Sequence, residues 1–271
     1  MVKLIKIEAF DDDNDEWEFY DSLRNDSDEE EFDQAIDSWH AGQPEIAEQK
    51  IKLLIKKNQN YIDAYHHLAM LYDETSREFE AYLCCREAVR IGLSAIPKEF
   101  SWKTSTLRWG YIENRPFLRA YHYLGLFLQR RGEDAGAIEV FSRILNVCPG
   151  DNIGVRYLLP ALWLKEGDIE PAIQLCETYV DDYSPEIMFT YPLLLLMKGE
   201  VSKAKLLLSD AKLAFPLVAK ELLKKRHVKS KSYRLPGGIT VGGADQAYEY
   251  WERYGEYWLE NELAMGLITE K

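Results

Sequence analysis

The segment from Asn114 to Tyr157 constrains the fold of this chain more than any other. Residues three or four apart share one side of a helix, and the first half of the segment places five small or apolar residues in that way: Ala120, Tyr121, Leu124, Gly125 and Leu128. After a turn at Gly132, a second set does the same before Pro149: Ala137, Phe141, Ile144 and Leu145. The segment therefore predicts two helices that pack against each other across a tight turn.

The same pattern recurs along the chain at a nearly constant interval. The alanines that open the second helices are Ala47, Ala81, Ala137, Ala172 and Ala204. Their separations are 34, 56, 35 and 32 residues, and the long step is one repeat plus 22 extra residues. We therefore expect an array of about five helix pairs over residues 32–223, with an insertion at about 96–117.

This order of small, aromatic and aliphatic positions resembles the tetratricopeptide repeat, whose unit is about 34 residues. The resemblance implies an all-α, tetratricopeptide-like helix-turn-helix solenoid. Four strings further resemble bacterial relatives of the suppressor-of-tumorigenicity family of tetratricopeptide-like proteins: WGYIENRPFLRAYHYLGL (109–126), LNVCPGDNIGVRYLLP (145–160), FPLVAKELL (215–223) and GGADQAYEYW (242–251). This second resemblance implies a helical scaffold that binds partners and has no established catalytic residue.

The chain changes character after the array. A basic and glycine-rich linker is predicted over residues 224–243, followed by an aromatic helix over 244–271. One side of this helix carries Ala247, Tyr248, Trp251, Tyr254 and Trp258. Because the last repeat of an array exposes its core face, we expect this helix to cap it.

The acidic charge of the protein is concentrated near its start. Residues 11–37 hold fourteen Asp or Glu and one Arg, a net charge of −13, which equals the formal net charge of the whole chain. Self-repulsion predicts that residues 1–31 are a mobile leader. Two alternatives stay open: aromatic residues such as Trp17 dock the leader on a surface, where it competes with acidic partners, or its aspartates bind calcium.

Composition excludes several functional classes. Residues 38–271 are nearly neutral, which disfavours a general nucleic-acid binder. Four cysteines without a CxxC pair predict reduced, buried thiols rather than a zinc site. We expect no metal and no cofactor. The sequence contains no apolar run of signal-peptide or membrane-spanning length, so we expect a cytoplasmic protein without membrane association.

The candidate site is the concave groove that tetratricopeptide arrays build from the first helix of each unit. By the resemblance, the residues facing a ligand are Asp63, His66, Met70, Arg119, His122, Leu126 and Arg156. Guanidinium groups bind carboxylates well. We therefore predict a non-catalytic scaffold or adaptor that holds a peptide, with an acidic segment as one option.

Two alternatives accompany this interpretation. Arg119 and Arg156 could instead be structural, paired with Glu113, Asp151 or the insertion. The chain could also be a helical hydrolase that uses groove carboxylates such as Asp63 and Asp73.

Overall fold

The computed structural model describes residues 5–11, 15–23, 25–229 and 239–270. It divides into two compact units, Met1–Val155 and Arg156–Lys271. The sequence predicted one continuous array over 32–223, so the division falls inside the predicted array. Each unit is described separately below.

The first unit contains six helices in three consecutive pairs. They are α1 (Asp26–His40), α2 (Pro44–Lys57), α3 (Ile62–Glu74), α4 (Glu78–Ala95), α5 (Arg115–Arg130) and α6 (Asp134–Val147). Within each pair the two helices pack against each other. Gly42 and Gly132 adopt left-handed backbone angles in the turns of the first and third pairs, where a side chain would be strained. The all-α helix-turn-helix architecture predicted from the sequence is confirmed.

The predicted phase of the repeats is confirmed as well. The five alanines that set it, Ala47, Ala81, Ala137, Ala172 and Ala204, are all completely buried. Cys85 is also fully buried in the core of the first unit, and this burial raises the pKa of its thiol. All four cysteines are free thiols; Cys85, Cys148 and Cys176 are buried as the sequence predicted, whereas Cys84 is partly exposed.

The described residues of the acidic leader contain regular structure, and the mobility predicted for residues 1–31 stays a prediction. Strands β1 (Ile5–Asp11) and β2 (Glu16–Asp21) pair antiparallel, with Ile7 opposite Phe19, and α1 already begins at Asp26. Phe19 is 4% exposed and its ring lies 5.0 Å from that of Phe117. Ile7 and Phe19 of the leader are thus buried.

The segment predicted to be an insertion holds β2 in place. It is irregular after α4 and ends in a short 3-10 helix, Ile112–Asn114. Thr106 exchanges backbone hydrogen bonds with Asp15 and Trp17, both 2.9 Å. Asn114, which is completely buried, accepts a hydrogen bond from Phe19 N and donates one to Trp17 O, both 3.0 Å. The insertion therefore supplies hydrogen-bond partners to backbone groups along the outer edge of β2.

The described residues of the second unit form eight α-helices after a 3-10 turn at Val155–Tyr157. They are α7 (Leu159–Lys165), α8 (Ile169–Thr178), α9 (Pro185–Met188), α10 (Thr190–Lys198), α11 (Val201–Ala214), α12 (Pro216–Leu222), α13 (Ala244–Leu259) and α14 (Glu262–Thr269). The C-terminal aromatic helix is α13, and it packs against α12. Tyr250, Tyr254 and Trp258 are fully buried, and Trp258 Nε1 donates to the Tyr250 hydroxyl at 3.0 Å.

One predicted contact of α13 differs. Trp251 was placed on the buried side, but it is partly exposed and stacks on His227, with ring centroids 3.6 Å apart. Tyr250, the residue before Trp251, is completely buried instead. Residues 230–238 of the predicted basic, glycine-rich linker (224–243) lie outside the described residues. In the described part of the chain, no helix combines the length and the apolar character needed to cross a membrane.

Candidate functional site

Helices α3 and α5 are the first helices of two successive pairs, and six of the seven predicted site residues lie on them. Asp63, His66 and Met70 follow each other at intervals of three and four on α3. Arg119, His122 and Leu126 do the same on α5. We call these six residues, together with Asp73, Tyr123 and Arg130, the α3–α5 face.

An ion pair joins the N-terminal ends of the two helices. Arg119 Nη2 donates to Asp63 Oδ1 and Oδ2 at 2.9 and 2.8 Å, and His67 Nδ1 lies 3.3 Å from Asp63 Oδ1. Burial opposes ionisation of Asp63, but the hydrogen bond with His67 and the charge of Arg119 outweigh it, so the pKa of this carboxyl lies below its ordinary value. Arg119 is therefore already engaged with a carboxylate of the chain itself.

A second polar cluster joins the C-terminal ends. Asp73 Oδ2 accepts hydrogen bonds from the Tyr123 hydroxyl at 2.6 Å and from Arg130 Nη1 at 2.8 Å. Burial, together with the bond to Asp73, raises the pKa of Tyr123. Since Asp63 pairs with Arg119 and Asp73 with Arg130, the two helices run parallel. Sequence reasoning missed Tyr123 and Arg130, although Tyr123 lies four residues after Arg119 and Arg130 lies four residues after Leu126, which is the same helical period.

The two histidines are interior groups. His66 is 5% exposed, and burial, with a smaller contribution from His67, lowers its pKa to about 3. Burial lowers the pKa of His122 to about 4. His66 Nδ1, His122 Nε2 and Arg119 Nε are buried and have no hydrogen-bond partner within the described residues. Both histidines are thus neutral at pH 7 and do not present a cation to a ligand.

Met70 and Leu126 are the apolar middle of the face. Both are partly exposed, and the polar clusters at Asp63 and Asp73 lie one on each side of them along the helices. This arrangement offers an apolar contact between two fixed charged ends. It can bind a side chain by burial of apolar surface and orient it by hydrogen bonds.

Arg156 belongs to the second unit, whereas the other six residues belong to the first. Its Nε donates to Asp182 Oδ2 at 2.8 Å, and its guanidinium carbon is 4.3 Å from the centre of the Tyr157 ring. Both charged side chains are largely buried. Arg119 and Arg156 each form an ion pair within the chain, which is the structural role that the sequence analysis left open. The carboxylates that they contact are those of Asp63 and Asp182.

The hydrolase alternative finds no support in these contacts. Its two carboxylates, Asp63 and Asp73, each bind an arginine and a second side chain. Among the described residues, no group of three His, Cys, Asp or Glu side chains could hold a metal ion.

Comparison with solved structures places the fold among tetratricopeptide-like solenoids. A crystal structure of MamA matches with a TM-score of 0.51 at 16% identity, covering 74% of this chain and 98% of that one. MamA from Desulfovibrio magneticus RS-1 matches with a TM-score of 0.50 at 12% identity, covering 70% and 96%. YrrB, described as a TPR protein with an unusual peptide-binding site, matches with a TM-score of 0.50 at 16% identity, covering 81% and 92%. At these identities the likeness concerns the fold.

Sequence comparison adds the family. No curated protein sequence matches the chain. The family model for transcriptional repressor TCF25 matches residues 21–263, which is most of the chain. This match does not specify the suppressor-of-tumorigenicity relatives that the sequence strings resemble. It shows that the chain belongs to the transcriptional repressor TCF25 family.

Proposed function

We propose that this protein is a non-catalytic scaffold whose α3–α5 face holds a peptide segment of a partner protein. The observation that carries the proposal is the half-buried pair Met70 and Leu126 between two fixed polar clusters. An apolar side chain of the partner gains free energy by covering this pair. The tetratricopeptide-like fold supports the proposal, as does the peptide-binding site in the description of YrrB.

An acidic segment suits the N-terminal end of the face. Arg119 uses one guanidinium nitrogen, Nη2, for Asp63, and its side chain is 36% exposed. Because guanidinium has five donors, a partner carboxylate can share Arg119 with Asp63. The family description makes proteins of transcriptional control the first candidates. The cytoplasmic location predicted from the sequence stays a prediction.

Site-specific photo-crosslinking tests the proposal. A photoreactive amino acid at Met70 is expected to crosslink one defined partner, and Leu126→Asp in the same chain is expected to abolish the product. The matched control is the same amino acid at Leu53, an exposed leucine of α2. If Met70 and Leu53 give the same products, or if Leu126→Asp has no effect, the α3–α5 face is not the binding site.

A further inference from the structure

Helix α11 has an apolar side that the fold leaves uncovered. Its core side is buried through Ala204, Leu208 and Ala211. On the opposite side, Leu206 and Leu213 are 69% and 80% exposed. Seven residues are two helical turns, so the two leucines form one stripe, whereas a surface helix normally carries polar residues there.

An open groove runs beside this stripe, between α11 and α14. Its apolar floor is formed by Leu208 and Leu267. Leu213 forms part of its rim. On α14, Leu263 lies one turn before Leu267 and is 47% exposed. The exposed stripe and the groove beside it together form one apolar surface, which we call the α11–α14 surface.

Two lysines, Lys205 and Lys212, line this surface together with one acid, Glu270. Helix α11 as a whole carries three lysines and one aspartate, a net charge of +2 in a chain whose total is −13. Lys212 Nζ donates to Leu267 O at 3.0 Å and also to Glu270 O, which fixes one ammonium at the groove. Lys205 Nζ forms an ion pair with Glu270 at 2.7 Å, and the Lys205 side chain remains 59% exposed. Acidic groups of a partner would be attracted here.

We propose that the α11–α14 surface binds an amphipathic helix of a partner protein, with leucines on one side and Asp or Glu beside them. The two-turn spacing of Leu206 and Leu213 matches the ridges of a helix, and a groove between helices accepts such ridges. An anionic membrane fits less well because Leu208 and Leu267, 1% and 7% exposed, are recessed below the rim. This surface is distinct from the α3–α5 face and does not depend on it.

The experiment uses the full chain and a fluorescein-labelled peptide of about 18 residues, or five helical turns. The peptide carries leucines at intervals of three and four and glutamates elsewhere, and its control is a scrambled peptide of the same composition. In fluorescence anisotropy we expect the first peptide to bind and the scrambled peptide not to bind. Leu206→Asp/Leu213→Asp should weaken the affinity at least about tenfold, and added salt should weaken it further.

Matched variants separate binding from folding. Leu53→Asp changes a leucine of α2 that is 59% exposed, and it should leave both the affinity and the melting temperature unchanged. Lys205→Glu keeps the leucines but reverses a charge that lines the groove, and it should weaken the affinity by about threefold. All variants should melt like the wild type, because the substituted side chains are exposed.

Three results would overturn the proposal. One is equal binding of the leucine-glutamate peptide to the wild type and to Leu206→Asp/Leu213→Asp. Another is no peptide binding together with binding to phosphatidylserine vesicles that the leucine variant loses, which would indicate a membrane surface. The third is a dimer in light scattering that the leucine variant abolishes, which would show that a second copy occupies the surface.

Discussion

At the scale of single residues, glycines decide how closely two helices approach. A Cβ atom on Gly125 of α5 would lie 2.3 Å from Phe141 Cε1, and one on Gly92 of α4 would lie 2.1 Å from Phe117 Cδ2. Both phenylalanines are completely buried, so neither ring has space to move. The aromatic side chains that fill the core thus require glycine opposite them.

We predict that Gly125→Ala lowers stability, because overpacking a buried site costs about 1–3 kcal/mol. Gly125→Leu should be worse. The matched control is Gly136→Ala in α6, where the new methyl would meet Leu128 at 3.4 Å and better helix propensity contributes up to about 1 kcal/mol. Chemical denaturation of the three variants checks this. Equal stability of Gly125→Ala and the wild type would show that Phe141 is not packed as described.

The buried histidine His66 makes stability depend on pH. Its pKa is about 3 in the folded protein against 6.5 for a free side chain, so below pH 6.5 the unfolded chain takes up a proton that the folded chain does not. Stability is therefore fully present above pH 6.5 and is lost as pH falls toward 3. At pH 5 the loss from His66 should be about 2 kcal/mol.

Denaturation at pH 7 and pH 5 tests this effect in His66→Gln. The variant should lose less stability than the wild type over this interval, because glutamine does not titrate. His40→Gln is the control, since His40 is exposed on α1, and it should retain the full dependence. An identical pH dependence in all three proteins would contradict a buried, neutral His66.

At the scale of elements, the β1–β2 hairpin depends on one buried side chain from outside it. Asn114 offers both a donor and an acceptor to the backbone of β2, and its carboxamide also donates to Arg108 O at 3.2 Å. Because Asn114 is completely buried, its removal leaves backbone groups of Trp17 and Phe19 without a partner and without water. The element exists because a loop distant in sequence completes its hydrogen bonds.

We predict that Asn114→Ala loosens the hairpin, at a cost of about 1–3 kcal/mol for each buried group left unpaired. Hydrogen exchange measured by mass spectrometry should become faster over residues 15–23, with little change in α2. Asn146→Ala, an exposed asparagine of α6, is the control and should have no effect. Unchanged exchange over 15–23 in Asn114→Ala would show that Thr106 alone holds the strand.

At the scale of the whole molecule, the acidic leader is part of the fold of the first unit. Glu16 forms an ion pair with Arg108 and accepts a hydrogen bond from the Tyr111 hydroxyl at 2.7 Å. Phe19 also lines a small cavity beside Asp63 and Tyr61, close to the α3–α5 face. That the leader competes with acidic partners for binding stays a prediction.

Deletion of residues 1–21 should therefore lower the melting temperature, because it exposes Phe117 and leaves Asn114 without its backbone partners. Deletion of residues 1–4 alone is the control. If the leader were only a solvated tail, neither deletion would change the melting temperature. Partner binding at low and high salt then tests competition: the longer deletion should raise affinity most at low salt, where charge attraction is strongest.

The sequence by itself determined the repeat architecture. The positions of Ala47, Ala81, Ala137, Ala172 and Ala204, and the burial of Cys85, followed from a helical period that depends only on residues near in sequence. The sequence also predicted which side of the C-terminal helix is apolar and buried, except at Trp251. Each of these features is local, so one stretch of sequence is enough to recognise it.

Only the tertiary structure decided which residues of the chain contact its charged side chains and its acidic leader. Asp63 lies 56 residues from Arg119, and Trp17 lies 97 residues from Asn114, and no periodicity relates such positions. Composition predicted a mobile leader, because repulsion among its charges is visible in the sequence. The packing of Phe19 on Phe117 and the hydrogen bonds of Asn114 oppose that repulsion, and they exist only once the chain has brought these distant residues together.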